Sequence, residues 1–190
     1  MRILYEKLHK PRQFSYLLLF MLSACVGLPP GITPVENFQI DRYLGTWYEV
    51  ARMENRFERG LSNVTATYAL NENGSVRVEN RGYKSSTSTW ESAIGKAKFV
   101  DSPNIGHLKV SFFGPFYASY VVYDLDENYE YAFVTGGNKK YLWLLARERK
   151  VSDEVLSRFK QHASDNGYDL NNVVFDVQQD ESPNEDEWPK

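Results

Sequence analysis

The chain predicts an all-β fold: an eight-stranded antiparallel up-and-down β-barrel with one C-terminal α-helix packed on its outside. Three observations predict it. Apolar residues alternate with polar ones along most of residues 47–147, the mark of strands with one buried face. The alternating runs are joined by short turns, which suit antiparallel neighbours. One stretch near the C-terminus switches to helical spacing.

Trp47 to Met53 opens the series. Val64, Ala66, Tyr68 and Leu70 then alternate with Thr65, Thr67 and Ala69, and Asn71-Glu72-Asn73-Gly74 supplies a hairpin turn. Val76 and Val78 follow against Arg77 and Glu79. In Trp90 to Val100, Gly95, Ala97 and Phe99 oppose Lys96 and Lys98. Leu108, Val110 and Phe112 alternate with His107, Lys109 and Ser111. Ser119 to Leu125, Glu130 to Thr135 and Tyr141 to Arg147 complete eight strands, with Gly136-Gly137-Asn138 turning the last pair.

The helix runs from Asp153 to about Asn166. Ser152 is its N-cap, Asp153 and Glu154 suit the positive end of its dipole, and Gly167 ends it. Val155, Leu156, Phe159 and Ala163 form its apolar stripe, and Leu142, Leu144 and Ala146 offer a sheet face for it to cover. A ninth strand, Val173 to Val177, follows. An open sheet of eight strands would leave two unpaired edges, which closure removes. A barrel of that size has room for one small ligand. The folded body spans residues 38–178, and residues 179–190 form an acidic, Pro-containing tail of disordered composition.

Residues 1–24 have the order of a secretory signal peptide. Arg2, Lys7, Lys10 and Arg12 precede an apolar run from Phe14 to Leu22, and the small Ser23 and Ala24 follow. The run is too short for a transmembrane helix, which needs about 20 residues. Leu22-Ser23-Ala24-Cys25 resembles a bacterial lipobox. That resemblance implies a diacylglyceryl group on the Cys25 thiol, cleavage before it, and acylation of the new amine. Several acyl chains on one residue make a stable anchor, at about 0.8 kcal/mol per buried CH₂. Val26, rather than Asp, follows the Cys, which by resemblance to enterobacterial lipoproteins implies the outer membrane, facing the periplasm. Residues 25–37, broken by Pro29, Pro30, Gly31 and Pro34, read as the lipidated tether.

The whole chain carries a formal charge of −3 and the leader carries +3, so the body carries −6. That argues against nucleic acid as a partner. Cys25 is the single cysteine, so no internal disulfide and no catalytic thiol remain once it is acylated. His107 and His162 are far apart in sequence, which speaks against a metal site or metal cofactor.

Gly45-Thr46-Trp47-Tyr48-Glu49 and Arg147 together resemble the lipocalin signature. The stretches "RYLGTWYEVAR", "FERGLSNVTATY", "LKVSFFGPFY" and "YLWLLARER" are similar to the bacterial lipocalins of the Blc outer-membrane lipoprotein type, and to apolipoprotein D. The resemblance covers residues 35–178. It implies that Gly45, Trp47 and Arg147 form the structural base of the barrel, with the guanidinium across the indole. The family's Thr-Asp-Tyr motif is replaced here by Asp126-Glu127-Asn128-Tyr129.

Counting alternation from Trp47 and Arg147 puts Glu49, Ala51, Met53, Tyr141, Trp143 and Leu145 inside the barrel. Alternation adds Val76, Val78, Ala97, Phe99, Val110, Phe112, Val121 and Tyr123. Such a lining suits an acyl chain, and the resemblance implies a lysophospholipid or fatty acid ligand. Arg52, Arg56 and Arg59 are candidates for an anionic head group at the mouth. "FFGPFY", Phe112 to Tyr117, is apolar for a turn. It reads either as a loop touching membrane or a second protomer in a homodimer, or as a core turn. Three functions compete. The leading one is a non-catalytic lipid carrier in membrane maintenance or stress. The others are a structural lipoprotein with a filled barrel and a lipid-modifying enzyme. The last is disfavoured because the sole Cys serves as the anchor and Glu49 is the one acid placed inside.

Overall fold

The computed structural model describes residues 26–175 and 178. The leader, Cys25 and the tail from Gln179 lie outside the described residues. A short helix α1 (Ile40–Tyr43) leads into β1 (Gly45–Met53), β2 (Leu61–Leu70), β3 (Val76–Lys84) and β4 (Thr89–Phe99). These are followed by β5 (His107–Ser111), β6 (Ala118–Leu125), β7 (Tyr131–Thr135) and β8 (Leu142–Ala146). The helix α2 (Asp153–Asp165) and β9 (Val173–Phe175) complete the described chain. Each of β1 to β8 pairs antiparallel with its sequence neighbour, and β1 also pairs with β8, so the ring closes. The lower half of β1, Gly45 to Tyr48, pairs with β2. Its upper end, Ala51 to Met53, leaves β2 and pairs instead with β9, which lies outside the ring.

The alternation sorts apolar side chains into two cores. One fills the barrel, with Phe38, Tyr43, Trp47, Tyr68, Val76, Val78, Ala97, Leu108, Val122, Val134 and Leu145 among its members. The other lies between the outer face of the sheet and α2, where Phe159 and Ala163 meet Leu142, Leu144, Ala146 and Phe133. Each fully buried residue of this size contributes about 1.5–3 kcal/mol. Ser152 caps α2 by accepting a hydrogen bond from the Val155 N–H at 3.3 Å.

A bulge in β1 and the facing of β6 overturn part of the expected lining. The β1–β8 register shifts between Glu49 and Ala51, so Val50 is an extra residue. Below it Glu49 faces in, opposite Leu145. Above it Arg52 faces in, opposite Trp143, while Ala51 and Met53 turn outward into the core beneath α2. The β6–β7 register shifts between Val122 and Asp124. In β6 both alternating sets are apolar, and the barrel takes Tyr120 and Val122. Val121 and Tyr123, expected inside, lie on the outer side with Phe133.

The two ends of the barrel follow from strand direction. The base carries Trp47 and the loops at 71–75, 100–106 and 126–130. The mouth carries the loops at 54–60, 85–88, 112–117 and 136–141. The described part of the expected tether does not stand away from the body. Ser119 Oγ donates to Gly27 O at 2.8 Å, Ile32 is buried, and the Val35 N–H donates to Val122 O at 2.9 Å. Phe38 then enters the base of the barrel core.

Candidate functional site

The base is sealed first by local chemistry. Gly45 has φ +90, a conformation glycine adopts without strain, and this sets the turn into β1. The turn brings Trp47 fully inside, where its indole N–H donates to Tyr43 O at 2.8 Å. Arg147 covers the indole with its guanidinium carbon 4.0 Å from the ring centroid. Its two terminal nitrogens donate to Thr46 O, Arg42 O and Leu44 O at 2.8–2.9 Å. A planar cation stacked on indole and spending its donors on carbonyls is a clamp. Gly45, Trp47 and Arg147 therefore meet at the base.

Above this clamp lies a floor of three tyrosines. Tyr120 Oη is 2.7 Å from Tyr43 Oη and 2.8 Å from Tyr68 Oη. Burial pushes all three phenols above their ordinary pKa, so they remain neutral hydrogen-bonding groups. Over the floor is a cavity with about 760 Å³ of space free of atoms, its opening to solvent included. Val76, Val78, Ala97, Val110, Phe112, Trp143 and Leu145 line it. Phe112 lies across Gly95, where a Cβ would stand 2.8 Å from the ring. Phe99 packs lower, 6.2 Å from Phe38 between ring centroids, in the plug rather than the cavity wall. Tyr141 stands at the rim, stacked on Trp143 with ring centroids 5.9 Å apart.

The polar wall differs from expectation. Arg52, a candidate head-group donor at the mouth, is 2% exposed and engaged inside the barrel wall. Its Nη1 donates to Glu49 Oε1 at 2.8 Å, and its Nη2 donates to Glu58 O and Leu61 O at 2.9 and 3.1 Å. The bulge at Val50 is the cause, since it moves Arg52 to the inner face. Arg56 lies over the Phe57 ring, and Arg59 pairs with Glu54 at 3.4 Å while 74% exposed. Neither lines the cavity. What does line it is Glu49 and Glu58. The Asn55 side chain accepts from the N–H groups of Phe57 and Glu58, which folds the 54–60 loop inward. Glu58 Oε2 then accepts from the Trp143 indole N–H at 3.2 Å and from Asn55 Nδ2. Burial and then the charge of Glu58 push Glu49 well above the usual carboxylate range, and Arg52 offsets this only in part. Gln178 closes the seam where β1 leaves β2, donating to Glu49 O and Val64 O at 3.1 and 2.6 Å.

Sequence reasoning missed the tyrosine floor, Glu58, and the contribution of β2 through Val64, Ala66 and Tyr68. The alternation of β2 carried that last signal. The shared hydroxyl of Tyr120 carried none, because it depends on α1, β2 and β6 meeting.

The lipocalin-like domain model matches residues 38–178. The chain belongs to the lipocalin family. It is 48% identical over 167 residues to the outer membrane lipoprotein Blc of Vibrio cholerae, covering 87% of this chain and 98% of that one. It is 46% identical over 162 residues to the protein of that name from Escherichia coli K12, covering 84% and 91%. Apolipoprotein D of Macaca fascicularis is 30% identical over 168 residues, covering 84% and 85%. Insecticyanin from the tobacco hornworm, a solved structure 17% identical, superposes with a TM-score of 0.61, covering 78% of this lipocalin and 85% of that chain. That likeness is one of fold. The Blc relatives come from Gram-negative bacteria, and they assign this lipocalin to the outer membrane.

Proposed function

We propose that this lipocalin is held at the outer membrane by acyl chains on Cys25 and takes up one single-chain lipid, a lysophospholipid or fatty acid, as a non-catalytic carrier in membrane maintenance or stress. The observation that carries the proposal is the cavity: apolar walls over a sealed tyrosine floor, open at one end. One acyl chain suits an eight-stranded barrel, and two crowd it. The chain extends down to the tyrosines and the head group stays near the mouth.

The polar wall ranks the ligands. A fatty-acid carboxylate drawn toward Glu58 meets like charge where water is scarce, and repulsion there is stronger than in bulk. Arg52 is already paired and offers little relief. A lysophospholipid keeps its phosphate farther out and places only its glycerol hydroxyl and chain near that acid. Lysophospholipids are therefore preferred at neutral pH. The pairing of Glu49 with Arg52 also favours binding over acid–base catalysis.

Titration of lysophospholipids and fatty acids of increasing length, followed by Trp143 fluorescence, tests the pocket. Affinity should rise by about 0.8 kcal/mol per CH₂ until the chain reaches the floor, then level off. Flat affinity, or tighter binding of two-chain phospholipids, would overturn the carrier and favour a filled structural barrel. Labelled palmitate incorporated into the wild type and absent from Cys25→Ala tests the anchor separately.

A further inference from the structure

The mouth of the barrel carries exposed aromatic residues that the ligand site does not use. Phe113 is 75% exposed and Phe116 71% exposed, on the 112–117 loop, and Phe57 is 59% exposed on the 54–60 loop. The core-turn reading of "FFGPFY" therefore holds for Phe112 alone, which enters the cavity wall. Large apolar groups exposed around one rim mark an interaction surface.

Charge is divided between the two ends. The four mouth loops carry Arg56, Arg59, Lys139 and Lys140 against Glu54 and Glu58, and Glu58 is turned inward. The three base loops carry Glu72, Asp101, Asp126, Glu127 and Glu130, and the chain around them adds Glu36, Asp41 and Glu148 against Arg42, Arg147, Arg149 and Lys150, so the base is net acidic. A body of net negative charge thus has a net positive mouth, with those cations on the loops that carry its exposed phenylalanines. The N-terminal segment leads to the same end. Ser119, the second residue of β6, holds Gly27 O at the mouth side, and the chain then descends past Val122 toward Phe38 at the base. The described chain therefore begins at the mouth end of the barrel.

We propose that the mouth docks onto an anionic bilayer surface, with Phe57, Phe113 and Phe116 in the interface and Arg56, Arg59, Lys139 and Lys140 against lipid phosphates. Apolar rings held among basic side chains are the combination that an anionic membrane interface binds. The proposal rests on the anchored-carrier reading. It adds that the cavity opens directly onto the lipid surface, so a single-chain lipid passes between bilayer and barrel without crossing water.

Site-directed spin labelling of the mature lipoprotein tests it. Because the native cysteine is acylated in this reading, Phe116→Cys supplies one free thiol for a nitroxide, and Asn128→Cys at the base supplies the control. Each is reconstituted in phosphatidylethanolamine–phosphatidylglycerol vesicles, and collision rates with oxygen and with a water-soluble nickel complex are compared. The expected result is one label per chain by mass, with oxygen favoured at position 116 and nickel at position 128. Arg56→Glu combined with Lys140→Glu should shift position 116 toward nickel. A single label at position 116 that favours nickel overturns docking while leaving the anchor intact. Dipolar coupling between labels on two copies overturns it in favour of a dimer. Two labels per chain show Cys25 to be unacylated, which overturns the anchored reading and docking with it. Equal burial in phosphatidylcholine vesicles overturns the part assigned to charge.

Discussion

Glu58 shows how one side chain sets the character of a binding site. It belongs to a loop, yet Asn55 and the Trp143 indole hold its carboxylate at the cavity wall. Glu58→Gln removes a charge at nearly constant volume. It should bring fatty-acid affinity up toward that of a lysophospholipid of equal chain length, by about 1 kcal/mol or more given the partial burial. Parallel titrations of the two ligands check this, and an unchanged ratio would show that the head group stays clear of the acid. Glu49 makes a second prediction. Its folded pKa is raised, first by burial and then by Glu58, so the native state holds its proton at pH values where the unfolded chain has released it. Stability should therefore fall as pH rises from the ordinary carboxylate value, about 4.3, through the raised one. Urea unfolding across that range checks it, read as the difference between the wild type and Glu49→Gln. A difference that grows in favour of the wild type with rising pH would reverse the assignment.

At the scale of elements, α2 and the bulge at Val50 have separate tasks. Phe159 is fully buried and meets Phe133 edge-on, with ring centroids 5.2 Å apart. Phe159→Ala should cost about 3–5 kcal/mol. It should leave chain-length preference unchanged, because α2 covers the outer face of the sheet. Denaturant midpoints alongside lipid titrations check this, and an altered length preference would mean that the outer layer shapes the cavity. The bulge works on the inside. It allows β1 to present Trp47 and Glu49 below and Arg52 above, and it places Val50 and Ala51 together under the helix. The helix was legible because its apolar spacing, its Ser152 cap and its Gly167 terminus all lie in one local stretch. The bulge was not, because "WYEVARM" alternates acceptably in either phase beyond Glu49. The extra residue is specified by pairing with β8, nearly a hundred residues away.

At the scale of the whole molecule, one end is closed and the other is open and carries the polar wall. The clamp of Gly45, Trp47 and Arg147, the plug of Phe38 and the tyrosine floor close the base with stacking and hydrogen bonds. Trp47→Ala should cost about 3–5 kcal/mol of stability. It should leave the ranking of head groups unchanged, since the proposed place of the head group is at the opposite end. Thermal unfolding with competitive lipid binding checks this. A variant of normal melting temperature with an altered ranking would show that base and mouth are coupled. The asymmetry of charge fits the same division, acidic at the base and basic with exposed phenylalanines at the mouth.

Alternation, turn residues and the helix caps were sufficient on their own to determine the barrel, its strand order and the outer helix. Each is a local pattern that depends on neighbours within a few residues. The base clamp was legible as well, through the resemblance carried by Gly45, Trp47 and Arg147, and so was most of the apolar wall from Val76 to Phe112. Only the tertiary structure decided the inner face of β6, the outward turn of Ala51 and Met53, and the burial of Arg52. It also decided that carboxylates rather than guanidiniums face the cavity. The reason is that a strand with apolar residues in both phases, as in Tyr120 to Tyr123, leaves its facing undetermined by alternation. Pairing register with distant strands settles that choice, and a one-residue bulge reverses it for every side chain that follows.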